Sequence, residues 1–247
     1  SQPINTLHRS ESARPQVMDF VKEEIAKGRQ AYIVYPLIEE SSKMDYENLM
    51  KGFEEVKSFF PEPKYWISMV HGKQPAEQKE TNMQRFVKAD TQIMVSTTVI
   101  EVGVNVPNAS VMVIESAEKF GLSQLHQLRG RVGRGAEKSF CILLTGPKVS
   151  NDARERLKIM VATNDGFKIA EKDLEIRGPG DIEGTKQSGL LNFKLANIVQ
   201  DKIILEAARN AAEHILESDP DLNTDENLRV KNYLQQQKGK TAWSKIS

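Results

Sequence analysis

Gln127-Leu128-Arg129-Gly130-Arg131-Val132-Gly133-Arg134-Gly135 sets three arginines and three glycines within nine residues. Glycine adds backbone entropy that folding must remove, and clustered guanidinium groups repel one another, so such a loop is costly unless an anion rests on it. Arginines at 129, 131 and 134, separated by glycines, can place forked donors around a triphosphate, whose developing charge calls for bidentate neutralisation. From Lys119 to Lys138 there are five bases and one acid, Glu137, a local charge of +4. The whole chain has 34 basic and 34 acidic residues, so the patch is local and not part of a general cationic surface. On composition alone a solvated basic turn is the plain alternative.

The segments around this loop alternate in period. Ser123 to Arg129 reads as a helix before it and Phe140 to Leu144 as a strand after it. Towards the N-terminus, residues 15–27 carry Val17, Phe20, Val21 and Ile25 on one helical face, opening at Pro15 and closing at Gly28. Ala31-Tyr32-Ile33-Val34-Tyr35 is too short for a helix and rich in β-branched and aromatic residues, which predicts a buried strand ending at Pro36. Further strands are expected at Tyr65–Val70, Gln92–Ser96 and Ser110–Glu115, with a helix at Ala76–Val87. Apolar strands alternating with helices indicate βαβ units and a parallel sheet covered on both faces, an α/β fold. Beyond Thr145, residues 152–163 read as helix, a glycine-punctuated loop runs from Arg177 to Gly189, and a long amphipathic helix spans Ala196–Glu217. From Glu213 to Glu226 there are six acids and no Lys or Arg, and from Arg229 to Ser247 five bases and no acids. Two solvated faces are the plainer reading of that split, and a basic tail touching phosphate the other.

A chain of 247 residues accommodates one α/β domain of roughly 150 residues and an appendage. Its 39% apolar and 28% charged residues exclude the disordered and membrane classes. No run of 18 apolar residues and no secretion signal occurs, so the expected address is cytoplasmic, with no membrane partner. The single cysteine, Cys141, lies in the run Phe140–Leu144 and reads as a buried strand thiol, which excludes disulfide scaffolds and Cys-rich zinc sites. His71 and His126 lack metal-ligand spacing and read as hydrogen-bonded structural residues, so no metal site is expected within this chain. Tyr65-Trp66 and Trp243 read as core or tail anchors.

Gln127 to Arg134 resembles the sixth motif of superfamily-2 helicases, Q-x-x-G-R-x-G-R, with all five fixed positions filled. Ser96-Thr97-Thr98-Val99-Ile100-Glu101-Val102-Gly103-Val104-Asn105-Val106-Pro107 resembles the fifth motif, and Tyr35-Pro36-Leu37-Ile38-Glu39-Glu40-Ser41 the fourth. Val70-His71-Gly72 is similar to a strand-to-loop element of the same motor domain. Together these cover about residues 15–146, the length of one RecA-like domain. Ala117 to Gln127, joined to Asp173-Leu174-Glu175-Ile176-Arg177-Gly178-Pro179-Gly180-Asp181 and Gly184-Thr185-Lys186-Gln187-Ser188-Gly189, resembles the RecG family of bacterial branch-migrating DNA helicases. The second of these segments is similar to the translocation motif that this family shares with the transcription-repair coupling factor. The resemblance weakens after about residue 225.

The resemblance implies roles by position. Arg131 and Arg134 match arginine fingers that reach the γ-phosphate, with Gln127 helping to couple nucleotide and DNA. Thr97 and Thr98 match contacts to DNA phosphates, in one set with His71 and Gly72; a strand end with N-cap duty is the plain alternative for the threonines. Gly103 allows a tight turn beside the nucleotide. Asn105 stands where the family usually has aspartate, and its amide can still hydrogen-bond a ribose hydroxyl. Arg177, Gly180 and Gln187 belong to the translocation loop; with five acids and four bases from Lys168 to Lys186 that segment is a poor phosphate binder, and coupling is the better role.

No G-x-x-x-x-G-K-[ST] loop and no D-E-x-H or D-E-x-D sequence occurs in the chain. The resemblance therefore implies the C-terminal half of a larger enzyme, with ATP and Mg2+ held mainly by an N-terminal motor domain. Its partners are that domain, an N-terminal DNA wedge, and forked or branched DNA. The expected organisation is a linker over 1–14, the RecA-like domain over 15–146, a translocation-motif hairpin and loop over 147–192, and a helical extension and tail over 193–247. The rivals are the coupling factor, which would continue into a further regulatory domain, and a non-catalytic nucleotide or nucleic-acid binding module. A metabolic doubly wound enzyme is more distant, because no G-x-G-x-x-G follows the first strand.

Overall fold

The computed structural model describes residues 3–38, 42–97, 105–135, 138–177, 198–224, 227–232 and 235. Thr98, Gly103, Gly180, Gln187 and Trp243 lie outside the described residues. The chain forms two compact units, residues 1–180 and 181–247.

In the first unit the strands are β1 (Asn5–Ser10), β2 (Gln30–Tyr35), β3 (Ile67–Val70), β4 (Ile93–Thr97), β5 (Ala109–Ile114) and β6 (Phe140–Thr145). They form one sheet in the order β1-β6-β5-β2-β4-β3, and every neighbouring pair is parallel. The helices are α1 (Arg14–Ala26), α2 (Ser42–Phe59), α3 (Ala76–Val87), α4 (Leu122–Arg129), α5 (Asn151–Ala162) and α6 (Gly166–Arg177). Residues of β2 separate by parity. Ala31 and Ile33 join Val17, Met18 and Val21 of α1 and Leu49 and Val56 of α2 in one core. Tyr32 and Val34 join Met83 and Phe86 of α3, Leu125 and Leu128 of α4, Met160 of α5 and Ile169 of α6 in the other. A parallel sheet covered on both faces needs strands that are apolar at every position, which is why β2 reads as a continuous run. Each fully buried Val, Ile or Phe here stabilises by roughly 1.5–3 kcal/mol.

Local chemistry sets several boundaries. Pro15 sits in the first turn of α1, and Gly28 takes φ +84° just beyond its end, where a side chain would be strained. Ser150 Oγ accepts from the Ala153 N–H at 3.1 Å and caps α5. Past β2, the Ile38 N–H donates to both carboxylate oxygens of Asp45 at 2.8 and 2.9 Å, holding the chain that leaves the strand against α2.

Two elements differ from the sequence expectation. Residues 1–14, expected as a linker, contribute β1, which extends the sheet in register from Asn5↔Phe140 to Ser10↔Thr145. Its sequence Asn-Thr-Leu-His-Arg-Ser has one large apolar side chain, so no period of two marks it; backbone pairing to β6 makes it a strand. The sequence reading also assigns no helix to residues 42–59, where α2 lies, although Leu49, Phe53, Val56 and Phe60 fall on one helical stripe.

In the second unit α7 covers Ile198–Ser218. The Asp219 carboxylate accepts from the Asn223 N–H, the Thr224 N–H and hydroxyl, and the Asn227 amide at 2.8–3.0 Å. The backbone donors lead this set and hold the carboxyl far below its usual range.

Candidate functional site

Because all strands are parallel, their carboxyl ends form one edge of the sheet and their amino ends the other. Thr97 closes β4 at the carboxyl edge, and His71-Gly72 leaves β3 there. Asn105 to Asn108 enters β5 at the amino edge, where the Asn108 side chain donates to Gly28 O at 2.9 Å just before β2. The glycine-rich loop after α4 lies at that amino edge too. A Cβ on Gly135 would stand 2.8 Å from Pro107 O, a close approach that needs glycine. The sequence-predicted residues therefore divide into Asn105, Arg131 and Arg134 on one edge and Thr97, His71 and Gly72 on the other. The five residues of β4 set a separation of about 16 Å at ~3.3 Å per residue.

The loop backbone is anchored, while two of its guanidinium groups have no counter-charge among the described residues. Arg131 N–H donates to Leu128 O at 3.0 Å and Val132 N–H to Arg129 O at 3.2 Å. Gly133 has φ +80°, and a Cβ there would stand 2.8 Å from Ile4 Cγ1. Arg131 is half-buried; Arg134 is exposed, with Nε donating to Gly130 O at 3.2 Å. Neither side chain meets a carboxylate among the described residues. Burial pushes the Tyr32 hydroxyl up to about 12, opposed by the charges of Arg131 and Arg134. Gln127 is exposed on α4.

The third arginine of the motif turns inward. Arg129 is 2% exposed. Its Nη1 donates to Met160 O at 2.7 Å, Thr163 O at 2.9 Å and Thr6 Oγ1 at 3.2 Å, and Nη2 faces His126 Nδ1 at 3.4 Å. Met160 and Thr163 lie at the C-terminus of α5, where carbonyls lack intrahelical donors and a cation is favoured. Burial lowers the Arg129 pKa, since the charged form loses water. The expectation that all three arginines surround an anion is thus corrected to two. A signal was available: Arg129 is four residues after Leu125 and seven after Leu122, on the buried stripe of α4.

At the carboxyl edge, Thr97 is 3% exposed, and its Oγ1 and the neighbouring Ser96 Oγ are buried with no hydrogen-bond partner among the described residues. The His71 N–H donates to Gln74 Oε1 at 3.1 Å, and its Nδ1 accepts from the Lys73 N–H at 3.2 Å. Burial first, then the Lys79 and Lys73 charges, lower its pKa, so the ring is neutral at neutral pH. Gly72 is exposed beside it. Tyr46 packs edge-on to His71 at 5.3 Å, with the Lys73 ammonium 5.1 Å from the Tyr46 ring centre.

Adjacent β2 and β5 send their chains to helices on opposite faces, α2 and α4, the place where open α/β sheets form a ligand crevice. Here that place is filled. Arg14 Nε and Nη2 donate to the two Glu115 oxygens at 2.8 Å each, and Arg14 Nη1 lies 3.5 Å from Glu55. Sequence reasoning missed this pair, whose members stand 101 positions apart.

Arg177 closes α6 and pairs through Nε with Asp173 Oδ1 at 3.2 Å, on the surface. Its Nη2 lies 4.0 Å from the Cβ position of Gly121, which precedes α4, and His126 Nε2 lies 2.9 Å from that of Gly166, which opens α6. The structure thus packs the helix carrying Gln127 against the helix carrying Arg177.

Two families match the chain: the helicase conserved C-terminal domain over residues 16–136, and the C-terminal part of domain 3 of the ATP-dependent DNA helicase RecG over residues 163–247. The ATP-dependent DNA helicase RecG of Synechocystis sp. is 51% identical over 233 residues, covering 93% of this chain and 27% of that protein. Its counterpart from Bacillus subtilis is 52% identical over 204 residues, covering 83% and 30%. A solved structure of RecG bound to a three-way DNA junction aligns with TM-score 0.63 at 42% identity, over 83% of this chain and 26% of that one. The chain spans less than a third of the length of these relatives.

Proposed function

The chain belongs to the RecG family of ATP-dependent DNA helicases, and from that membership we propose that it serves as the second motor domain of an enzyme that uses ATP to remodel forked and branched DNA. Its parallel six-stranded sheet is the RecA-like fold of helicase C-terminal domains. The match over residues 163–247 to the RecG-specific domain favours this family over the coupling factor.

The observation that carries the proposal is the division of the site residues between two edges of one sheet. Arg131 and Arg134, without carboxylate partners among the described residues, would meet a triphosphate held by another domain. Gly72, exposed about 16 Å away across β4, would meet DNA phosphates, while the Thr97 hydroxyl is buried at the same edge. A rigid sheet between them turns closure on the nucleotide into displacement of the DNA-contacting edge. Guanidinium groups brought up by closure stabilise charge that develops during phosphoryl transfer. The described residues contain no group of three or more His, Cys, Asp or Glu able to hold a metal ion. We assign Mg2+ and the phosphate cradle to the first motor domain, and initial strand separation to a wedge domain, both partners of this chain. Among the described residues no helix is long and apolar enough to cross a membrane; a cytoplasmic address is part of the proposal.

The test compares the 247-residue chain with the complete enzyme that carries it. The chain alone is expected to hydrolyse no ATP above background, with or without forked DNA, while the complete enzyme shows fork-stimulated turnover. Robust turnover by the pure chain overturns the proposal.

A further inference from the structure

With Arg129 turned inward, the amino edge has a different third arginine. Arg29 stands in the turn between α1 and β2, and that turn is fixed from several sides. Gly28 reverses the chain at φ +84°, and the Arg29 N–H donates to Glu24 O at 3.1 Å. The Asn108 side chain donates to Gly28 O at 2.9 Å and Gln30 Oε1 at 3.1 Å, while the Gln30 amide donates to Phe86 O at 2.7 Å and Thr91 O at 2.8 Å. From this base the Arg29 side chain reaches the segment entering β5 and the arginine loop together. Its Nη2 lies 3.5 Å from Pro107 O and 3.4 Å from the Cβ position of Gly135, the residue after Arg134.

Arg29 Nε is buried with no hydrogen-bond partner among the described residues. Among the described residues no carboxylate lies within ion-pair distance of it, and Glu24, on the preceding helix, is taken by Lys27 at 2.7 Å and Ser110 at 3.1 Å. Arg29, Arg131 and Arg134 therefore bring three cations to one edge with no acid paired to them among the described residues, an arrangement that repels itself until an anion arrives. We propose that Arg29 is the third phosphate-directed guanidinium of this edge, placed to contact the polyphosphate of a bound nucleoside triphosphate beside Arg131 and Arg134. The inference rests on the nucleotide-facing reading of the edge.

The test uses the complete enzyme with Arg29→Ala and Arg29→Lys, reading Kd for a non-hydrolysable ATP analogue, kcat for fork-stimulated hydrolysis, and melting temperature. Arg29→Ala should weaken analogue binding about tenfold, with kcat within about threefold and melting temperature unchanged, and Arg29→Lys should recover part of the loss. Unchanged Kd overturns the inference, and unchanged Kd with a lowered melting temperature would make Arg29 a prop for the Gly135 loop. If Arg29→Ala does not fold, Arg29→Gln, which keeps a polar side chain, carries the same readings. Absence of turnover in the unmodified enzyme would instead overturn the motor-domain reading. Turnover that depends on Arg131 and Arg134 while Kd ignores Arg29 would overturn this inference alone.

Discussion

Arg129 donates to the main-chain oxygen of Thr163 at 2.9 Å, fastening the end of α4 to the turn between α5 and α6. Thr163 is where the RecG-specific match begins. The same guanidinium holds Met160 O and Thr6 Oγ1, so one side chain ties α4, α5 and the edge strand β1 together. Replacing Arg129 by alanine would leave buried carbonyls without donors. It should lower stability by about 3 kcal/mol, since hydrogen bonds to charged groups contribute roughly 1.5–3 kcal/mol each and their loss is not additive. Lysine should not rescue it, because an ammonium cannot reproduce the guanidinium fork. Denaturant unfolding of the chain checks this; a midpoint within error of the unmodified protein would contradict it.

Arg131 and Arg134 should behave in the opposite way. Among the described residues neither side chain has a hydrogen-bond or ion-pair partner beyond the Gly130 carbonyl, so alanine at either position should leave the melting temperature unchanged. In the complete enzyme kcat should fall by about 10³-fold with little change in ATP affinity, because the interaction acts on charge that appears in the transition state. Steady-state hydrolysis with saturating fork reads this directly. An unaltered rate in both variants would return the loop to a solvated basic turn.

Arg177 and Gln187 separate coupling from binding. Arg177 already pairs with Asp173 and lies near the start of α4, a position suited to sensing α4 and poorly suited to gripping phosphate. Alanine at either residue in the complete enzyme should leave fork-stimulated hydrolysis within a few fold while branch migration collapses. The salt slope of fork binding should stay constant; a slope reduced by about one would identify a lost phosphate contact.

His8, His71 and His126 all have pKa values lowered from 6.5, in each case mainly by burial. The folded state therefore binds fewer protons than the unfolded state in the window below 6.5. Stability from these groups is fully present above pH 6.5 and declines as pH falls towards their folded values. Urea midpoints measured from pH 7.5 to 5 should fall on the acid side, and His126→Gln should flatten part of that fall. A midpoint that rises on acidification would refute the assignment of neutral rings.

Much of the architecture was legible locally. The unbroken apolar run of β2, the stripe of α3 that the structure bounds at the expected Ala76 and Val87, and the run holding Cys141 each carry their own pattern. Cys141 is fully buried as expected, with its thiol pushed up to about 12. The glycine-and-arginine spacing of residues 127–135 likewise marked a loop under an unusual electrostatic demand. Other features were decided by contacts between distant segments. β1 lacks an apolar alternation and exists because β6 offers it a backbone edge. Arg129 turns inward because its acceptors are assembled from 123, 31 and 34 positions away, and no local spacing contains them. Arg29 reaches the amino edge for the same reason: Gly135 is near it only once the sheet has formed. Sequence period reports which face of an element is apolar, whereas a polar side chain's orientation depends on where its partners lie after packing, and those positions are set by the tertiary fold.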